Sequence, residues 1–133
     1  MNQRIIRTYS ELISIPTFEG RYEYLKLGGK VGEETFGIDR YLNQLFYSSK
    51  EWRKRRRDII VRDNGCDLAM PDREIQEGVK IIIHHMNPIT IDDILERSDF
   101  LLNPEYLICT IKNTHDAIHY GNKELLLRND LIV

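Results

Sequence analysis

The sequence predicts an α+β domain, and three features of the 133-residue chain carry this prediction. Two short apolar runs, 79–84 and 106–111, have the length and composition of buried strands. A charged segment over 49–61 places its apolar residues at helical spacing. A second helical segment follows the later apolar run and ends at Gly121. A chain of this length suits one domain with a modest core.

The first part of the chain, 1–47, predicts short helices separated by turns. Ser10 is a weak helix start, and Pro16 favours a helix over 16–27, because proline is tolerated in the first helical turn. Gly28 and Gly29 end that helix. Residues 38–47 fit either a short helix or an irregular segment with inward apolar side chains, and the pattern does not decide between them.

The segment over 49–61 is the clearest helix. Ser48 is the predicted N-cap, and Glu51 three residues later completes a capping box. Trp52 and Ile59 fall on one side of this helix, so Trp52 is expected to anchor it to the core. The opposite, solvent-facing side is expected to carry Arg53, Lys54 and Arg57. The turn at 63–65, Asp-Asn-Gly, ends the helix.

The remaining elements follow in a simple order. Residues 66–78 read as a loop, and the first strand, 79–84, is broken after the histidines by Asn87 and Pro88. A helical turn at 92–96 begins with acidic residues, which the helix dipole favours. The second strand, 106–111, leads to a final helix that Asn113 or Thr114 caps and Gly121 closes.

Charge is distributed unevenly along the chain. The net charge is −2, yet residues 50–62 carry +5, so the rest of the chain carries −7. Five consecutive basic residues, 53–57, cover most of the circumference of a helix. Solvation of a helix surface does not require so many positive charges, whereas contacts to phosphates use them. The segment therefore predicts contact with nucleic acid. The side chains expected to make it are Arg53, Lys54, Arg56 and Arg57.

Composition also limits the cellular setting. No apolar run approaches the length of a membrane span, and the N-terminal residues lead into no apolar signal segment. We therefore expect a cytoplasmic protein with no membrane partner. Cys66 and Cys109 form no Cys-x-x-Cys pair and are expected to be reduced thiols.

Four histidines in two clusters are the most informative residues. They are His84, His85, His115 and His119. The first two are adjacent on a strand and point to opposite faces, while the last two share one face of a helix. Imidazole is both a common metal ligand and a base suited to neutral pH. Three imidazoles on one ion would leave open positions for water and substrate. The alternative is one buried and one exposed strand histidine, with the helix pair arising by chance.

This order of features resembles the HNH endonuclease superfamily, which is built on the ββα-metal motif. The similarity covers nearly the whole chain, and it is closer to the small HNH proteins of tailed bacteriophages, some of which are encoded beside the packaging terminase. The residues that carry it are Trp52-x-x-x-Arg56-x-x-Ile59-Ile60-x-Arg62-Asp63-Asn64-Gly65-Cys66, Ile83-His84-His85-Met86-x-Pro88, Leu107-Ile108 and Thr114-His115-x-x-Ile118-His119-Tyr120-Gly121.

The resemblance implies a ββα-metal core, also called the HNH or His-Me finger, preceded by a basic helix and an N-terminal extension. In these terms residues 1–47 are an extension that packs on the core, 48–121 form the nuclease core, and 122–133 form a C-terminal tail. The implied activity is metal-dependent hydrolysis of double-stranded DNA, leaving a 3′-hydroxyl and a 5′-phosphate. Terminase or portal proteins of the phage packaging machinery are the implied protein partners, and the host cytoplasm is the implied location.

The resemblance also assigns a role to each histidine. His85 resembles the general base and His84 a metal ligand, while His115 and His119 resemble the second and third ligands. The implied cofactor is one divalent ion, Mg²⁺, Mn²⁺, Zn²⁺ or Ni²⁺. Arg62 joins the expected DNA contacts.

The chain departs from the family pattern at two places. It has only Cys66 where many members hold a zinc knuckle, so hydrophobic packing is expected to replace that metal. The middle Asn of the family is expected nearer the helix than Asn103, and Tyr106 stands in that slot. Asn103, Tyr106 or a backbone carbonyl would then orient the base. This departure also keeps open a non-catalytic accessory protein of the same fold, or an enzyme that acts only with a partner.

Overall fold

The computed structural model describes residues 5–27, 38–70, 75 and 78–121. The predicted tail, 122–133, and the predicted Gly28-Gly29 stop lie outside these residues. The helices of the described part are α1 (Tyr9–Ile13), α2 (Phe18–Leu25), α3 (Ile38–Tyr47), α4 (Lys50–Arg62), α5 (Ile91–Glu96) and α6 (Lys112–Tyr120). The strands are β1 (Ile81–His85) and β2 (Leu107–Ile111), the latter entered through a 3₁₀ turn, Pro104–Tyr106. None of the described helices has the length and apolar character needed to cross a membrane.

The two strands form one antiparallel sheet, which confirms the α+β class. Ile81 pairs with Ile111 at one end, and His85 pairs with Leu107 at the other. Strand β1 begins two residues later than predicted and includes His85. Strand β2 begins at Leu107, because Tyr106 closes the 3₁₀ turn instead of entering the sheet. Helix α6 follows β2 directly, so the chain runs strand, strand, helix.

Each face of the sheet packs against a different set of helices. On one face Ile83 and Cys109 join Trp52 and Ile59 of α4 in an apolar cluster. On the other face Ile108 joins a cluster of side chains from α1, α2, α6 and the loop after α4, whose buried members are Leu12, Leu25, Leu27, Ala69, Met86, Ile108 and Ile118. The sheet therefore separates α4 from α6, and β1 presents alternate residues to the two sides.

The described parts of the first 47 residues are tied closely to the strands. The buried side chain of Asn87 accepts from the Arg7 amide at 2.7 Å and donates to the Arg7 carbonyl at 2.8 Å. The Ser10 amide donates to Glu105 at 2.6 Å. Because Asn87 lies two residues beyond His85, these bonds connect the N-terminal segment to the histidine-bearing end of β1.

The start of α4 differs from the prediction by one residue. Ser49, and not Ser48, is the N-cap, and its hydroxyl accepts from the Trp52 amide at 3.1 Å. The Ser48 hydroxyl donates to the Gln44 carbonyl at 2.8 Å instead. The reason is that 38–47 is a helix, which decides the open alternative, and Ser48 belongs to its end. The buried side of α4 is as predicted, with Trp52 and Ile59 in the core.

The start of α6 also differs from the prediction, whereas its end agrees. The N-cap position is Ile111, without a side-chain cap, because β2 passes into the helix with no loop between them. Thr114 lies inside the first turn, where its hydroxyl donates to the buried carboxylate of Asp67 at 2.5 Å. Gly121 closes the helix in the left-handed conformation, as predicted.

Candidate functional site

His84 and His115 come together on the α6 side of the sheet. His84 is 2% exposed near the end of β1, and His115 lies in the first half of α6 with 27% of its side chain exposed. Their ring centres are 5.0 Å apart, and the ring planes are nearly perpendicular. The pair therefore consists of one buried imidazole and one that reaches solvent, held by neighbouring elements of the fold.

The separation of these two rings fits a shared metal ion. With metal–nitrogen bonds of about 2 Å and tetrahedral angles, two imidazoles on one ion have ring centres about 5 Å apart. Among the residues that the structure describes, no group of three His, Cys, Asp or Glu side chains is placed to hold an ion. The side chain of His119, the third predicted ligand, lies outside that set, although its backbone belongs to α6.

His85 points to the opposite side of the sheet, into an aromatic pocket. Its ring stacks on the Trp52 indole, with centres 5.1 Å apart and planes 15° apart. Phe46 and Tyr47, at the end of α3, each lie 6.2 Å from the same ring. His85 is 9% exposed. Both strand histidines are therefore buried, so the alternative of one buried and one exposed ring is wrong.

A backbone carbonyl orients the His85 ring. The Nε2 atom lies 3.1 Å from the carbonyl oxygen of Leu101. A carbonyl can only accept, so Nε2 carries the hydrogen and Nδ1 carries the free lone pair. The sequence offered no sign of this contact, since a main-chain oxygen has no residue signature.

Burial keeps His85 neutral. Removal from water lowers its pKa to about 4, although the Leu101 hydrogen bond and the charge of Asp93 act to raise the pKa and the charge of His115 acts to lower it. At neutral pH the imidazole is therefore uncharged, and its Nδ1 atom can accept a proton. A base with so low a pKa holds an accepted proton weakly.

Asn103 and Tyr106, the predicted residues of the middle position, lie in the loop before β2. The Asn103 side chain accepts from the Glu105 amide at 2.9 Å and donates to Asp99 at 2.8 Å, which fixes the 3₁₀ turn. The Tyr106 ring packs on Phe100, with centres 4.8 Å apart. The residues considered for orienting His85 were Asn103, Tyr106 or a backbone carbonyl. The contact in the structure is with a backbone carbonyl, that of Leu101 in this same loop.

The predicted DNA-binding residues of α4 divide into two groups. Arg53, Lys54 and Arg57 are exposed, and the Lys54 ammonium lies 3.3 Å from the Asp58 carboxylate. Arg56 is partly buried and donates to the Ile81 carbonyl at 3.1 Å. The exposed trio can reach an external anion, whereas Arg56 is engaged with the edge of β1.

Arg62 is the most strongly engaged of the predicted DNA-binding residues. Its guanidinium pairs with the buried carboxylate of Asp63 at 2.7 Å and donates to the carbonyls of Pro104 and Leu107, each at 2.6 Å. It also lies 3.8 Å above the Tyr9 ring. These contacts join α4, the 3₁₀ turn, β2 and α1, so the structure gives Arg62 a clear internal role.

One further residue, Asp67, supports the histidine region without having been predicted. Asp67 is 1% exposed, accepts from Thr114, and so ties the loop after α4 to the turn that carries His115. The same loop places Ala69 in the core, and Cys66 is a free thiol. Apolar packing and this buried hydrogen bond hold the loop.

Comparison with known proteins found no family model, no curated protein and no solved structure that matches this chain.

Proposed function

We propose that the chain is a metal-dependent DNA endonuclease of the HNH type. The observation that carries the proposal is the arrangement of three histidines, two on β1 and one on α6, in a consecutive strand, strand and helix. His84 and His115 approach to 5.0 Å on one side of the hairpin, and His85 is held by a carbonyl on the other. Two ligands and a separately oriented base are the parts that this chemistry needs.

His84 and His115 would hold the divalent ion, with His119 as the proposed third ligand. When bound, the ion supplies positive charge next to the phosphate and the leaving oxygen, where negative charge develops. Imidazole ligands favour Mn²⁺, Ni²⁺ or Zn²⁺ over Mg²⁺, because they are softer than the oxygen ligands that Mg²⁺ prefers.

His85 is the proposed general base. Its Nδ1 atom accepts a proton from a water molecule, whose oxygen forms a new bond to phosphorus. The bond between phosphorus and the 3′ oxygen breaks, and the 3′ oxygen takes a proton from solvent. The products are a 3′-hydroxyl and a 5′-phosphate. The lowered pKa keeps His85 ready to accept at neutral pH.

The exposed basic side chains of α4 are the proposed contacts to DNA. Arg53, Lys54 and Arg57 carry positive charge on a chain whose net charge is −2. Contacts of this kind bind phosphates without regard to sequence and weaken as salt rises. Phage packaging proteins such as terminase or portal are the proposed partners of the nuclease.

The burial of His85 favours a second candidate function, a non-catalytic DNA-binding or packaging accessory. A base must reach water, and only 9% of His85 is exposed beneath the Trp52, Phe46 and Tyr47 rings. In a nuclease this pocket has to admit one water molecule. An accessory protein would have no such requirement.

Nicking of supercoiled plasmid by the purified chain separates these functions. We expect conversion to open circles with at least one of Mg²⁺, Mn²⁺, Ni²⁺ and Zn²⁺, and none with EDTA. Protein that binds the plasmid in a gel-shift assay but cuts with none of these ions would favour the accessory function. Cutting that begins only when packaging proteins are added would instead identify a partner-dependent nuclease.

A further inference from the structure

We infer that Trp52 is a positioning residue for His85: the indole fixes the plane of the imidazole ring. This inference rests on the proposed nuclease function. It starts from the stacked geometry, in which the two rings lie 15° from parallel with centres 5.1 Å apart. Phe46 and Tyr47 meet the same imidazole at 51° and 70°, so neither aligns with its plane.

Two independent contacts define the orientation of the ring. The indole restrains the tilt of the imidazole, while the Leu101 carbonyl, 3.1 Å from Nε2, restrains its rotation within that plane. Together they aim the lone pair of Nδ1 in one direction. A base held in this way loses less freedom when it meets the attacking water.

Trp52 is itself held on a rigid element. It lies in the first turn of α4, is 6% exposed, and has its amide capped by Ser49 at 3.1 Å. Its ring also contacts Phe46 and Tyr47, with centres 5.3 Å and 5.2 Å away. Because α4 holds the indole in place, the indole can in turn restrain a histidine on the neighbouring strand.

Three variants test the inference. Trp52→Phe keeps an aromatic face against His85, and Trp52→Leu fills the space without one. Ile59→Ala is the matched control, because Ile59 is fully buried in the same cluster on the same helix and has no ring contact with His85. Each variant is compared with the wild type for its melting temperature, its affinity for plasmid and its nicking rate. The nicking rate is measured at saturating plasmid with Mn²⁺, or with whichever tested ion supports cutting by the wild type.

Trp52→Leu is expected to lose nicking rate by about 10- to 100-fold, while its affinity for plasmid stays within about three-fold. Trp52→Phe should recover most of that rate. Ile59→Ala should be destabilised yet keep a rate near the wild type at a temperature where every variant is folded. A Trp52→Leu rate equal to that of Ile59→Ala would overturn the inference and leave the nuclease function standing. A wild type that cuts with no ion would overturn both.

Discussion

Two adjacent residues on β1 have different surroundings because a strand alternates its side chains. His84 turns towards α6 and meets His115, whereas His85 turns towards α4 and meets Trp52. The adjacency and the opposite orientations could be predicted from sequence, since they follow from strand geometry. The stacking of His85 could not, because it depends on tertiary contacts with aromatic residues more than thirty positions earlier.

At the residue scale, His85 predicts a specific pH dependence of stability. Burial lowers its pKa in the folded protein from 6.5 to about 4. Between these values the unfolded chain binds a proton that the folded chain does not, so stability falls as pH drops from 6.5 to 4. The loss attributable to His85 is about 3 kcal/mol at most, from about 1.4 kcal/mol per pKa unit.

Urea unfolding in EDTA at pH 7 and pH 4.5 measures this effect, with His85→Phe as the reference. The reference removes the titrating group but keeps an aromatic ring in the pocket, while the charged neighbours Asp93 and His115 stay in both proteins. The wild type should lose more stability than the reference on acidification. Equal losses in the two proteins would show that His85 is not buried as described.

Arg62 provides a second prediction at this scale. Arg62→Ala should destabilise the fold by about 2–4 kcal/mol, because it leaves the buried Asp63 carboxylate and two carbonyls without their cation. The matched control is Arg57→Ala on the exposed side of α4, which should change the unfolding free energy by under about 0.5 kcal/mol.

Binding to plasmid over a range of salt concentrations completes this comparison. Arg57→Ala should weaken binding and reduce the salt slope by about one unit, as loss of one phosphate contact requires. A fully stable Arg62→Ala protein would contradict the internal role that its hydrogen bonds imply.

At the scale of elements, the apolar runs and turn residues predicted which segments form helices and strands more accurately than they predicted where each element begins and ends. The strand over 79–84 was found two residues later, and the cap of α4 moved from Ser48 to Ser49. The shift of the cap arises where one element meets the next: Ser48 directly follows α3, which the pattern alone left undecided, and its hydroxyl bonds to the Gln44 carbonyl of that helix. Direct passage from β2 into α6 likewise left no place for the cap expected at Asn113 or Thr114.

Gly121, at the end of α6, is the position where the structure most strongly requires a glycine. Its φ is +65°, and a Cβ there would lie 2.8 Å from the Leu27 carbonyl oxygen. Gly121→Ala should therefore cost more than the ~1 kcal/mol expected for alanine in the left-handed conformation alone. Gly65→Ala is the matched control, since Gly65 has φ +66° and its Cβ would meet no described atom within 4 Å.

Chemical denaturation of both glycine variants gives the comparison directly. The difference between them reports the close approach of α6 to the segment after α2, a contact also made by the Leu27 amide and the Ile118 carbonyl at 2.9 Å. Equal destabilisation of the two variants would mean that the N-terminal segment does not pack against the end of α6.

At the scale of the whole molecule, the sheet divides the candidate site. Helix α6 and the His84–His115 pair lie on one side, and α4 with its exposed basic residues lies on the other. The histidines, the basic helix and the order of the elements could be predicted from the sequence. The contact of His85 with the Leu101 carbonyl, its aromatic enclosure and the internal hydrogen bonds of Arg62 could not, because these depend on how distant segments meet.

The most direct test of the account compares two neighbouring substitutions, His84→Ala and His85→Ala, for Mn²⁺ binding by calorimetry and for plasmid nicking. We expect His84→Ala to lose metal affinity and cutting together. His85→Ala should bind Mn²⁺ within about three-fold of the wild type and cut at least about 100-fold more slowly. Loss of metal binding in both variants, or wild-type cutting by His85→Ala, would contradict the division of the pair into a ligand and a base.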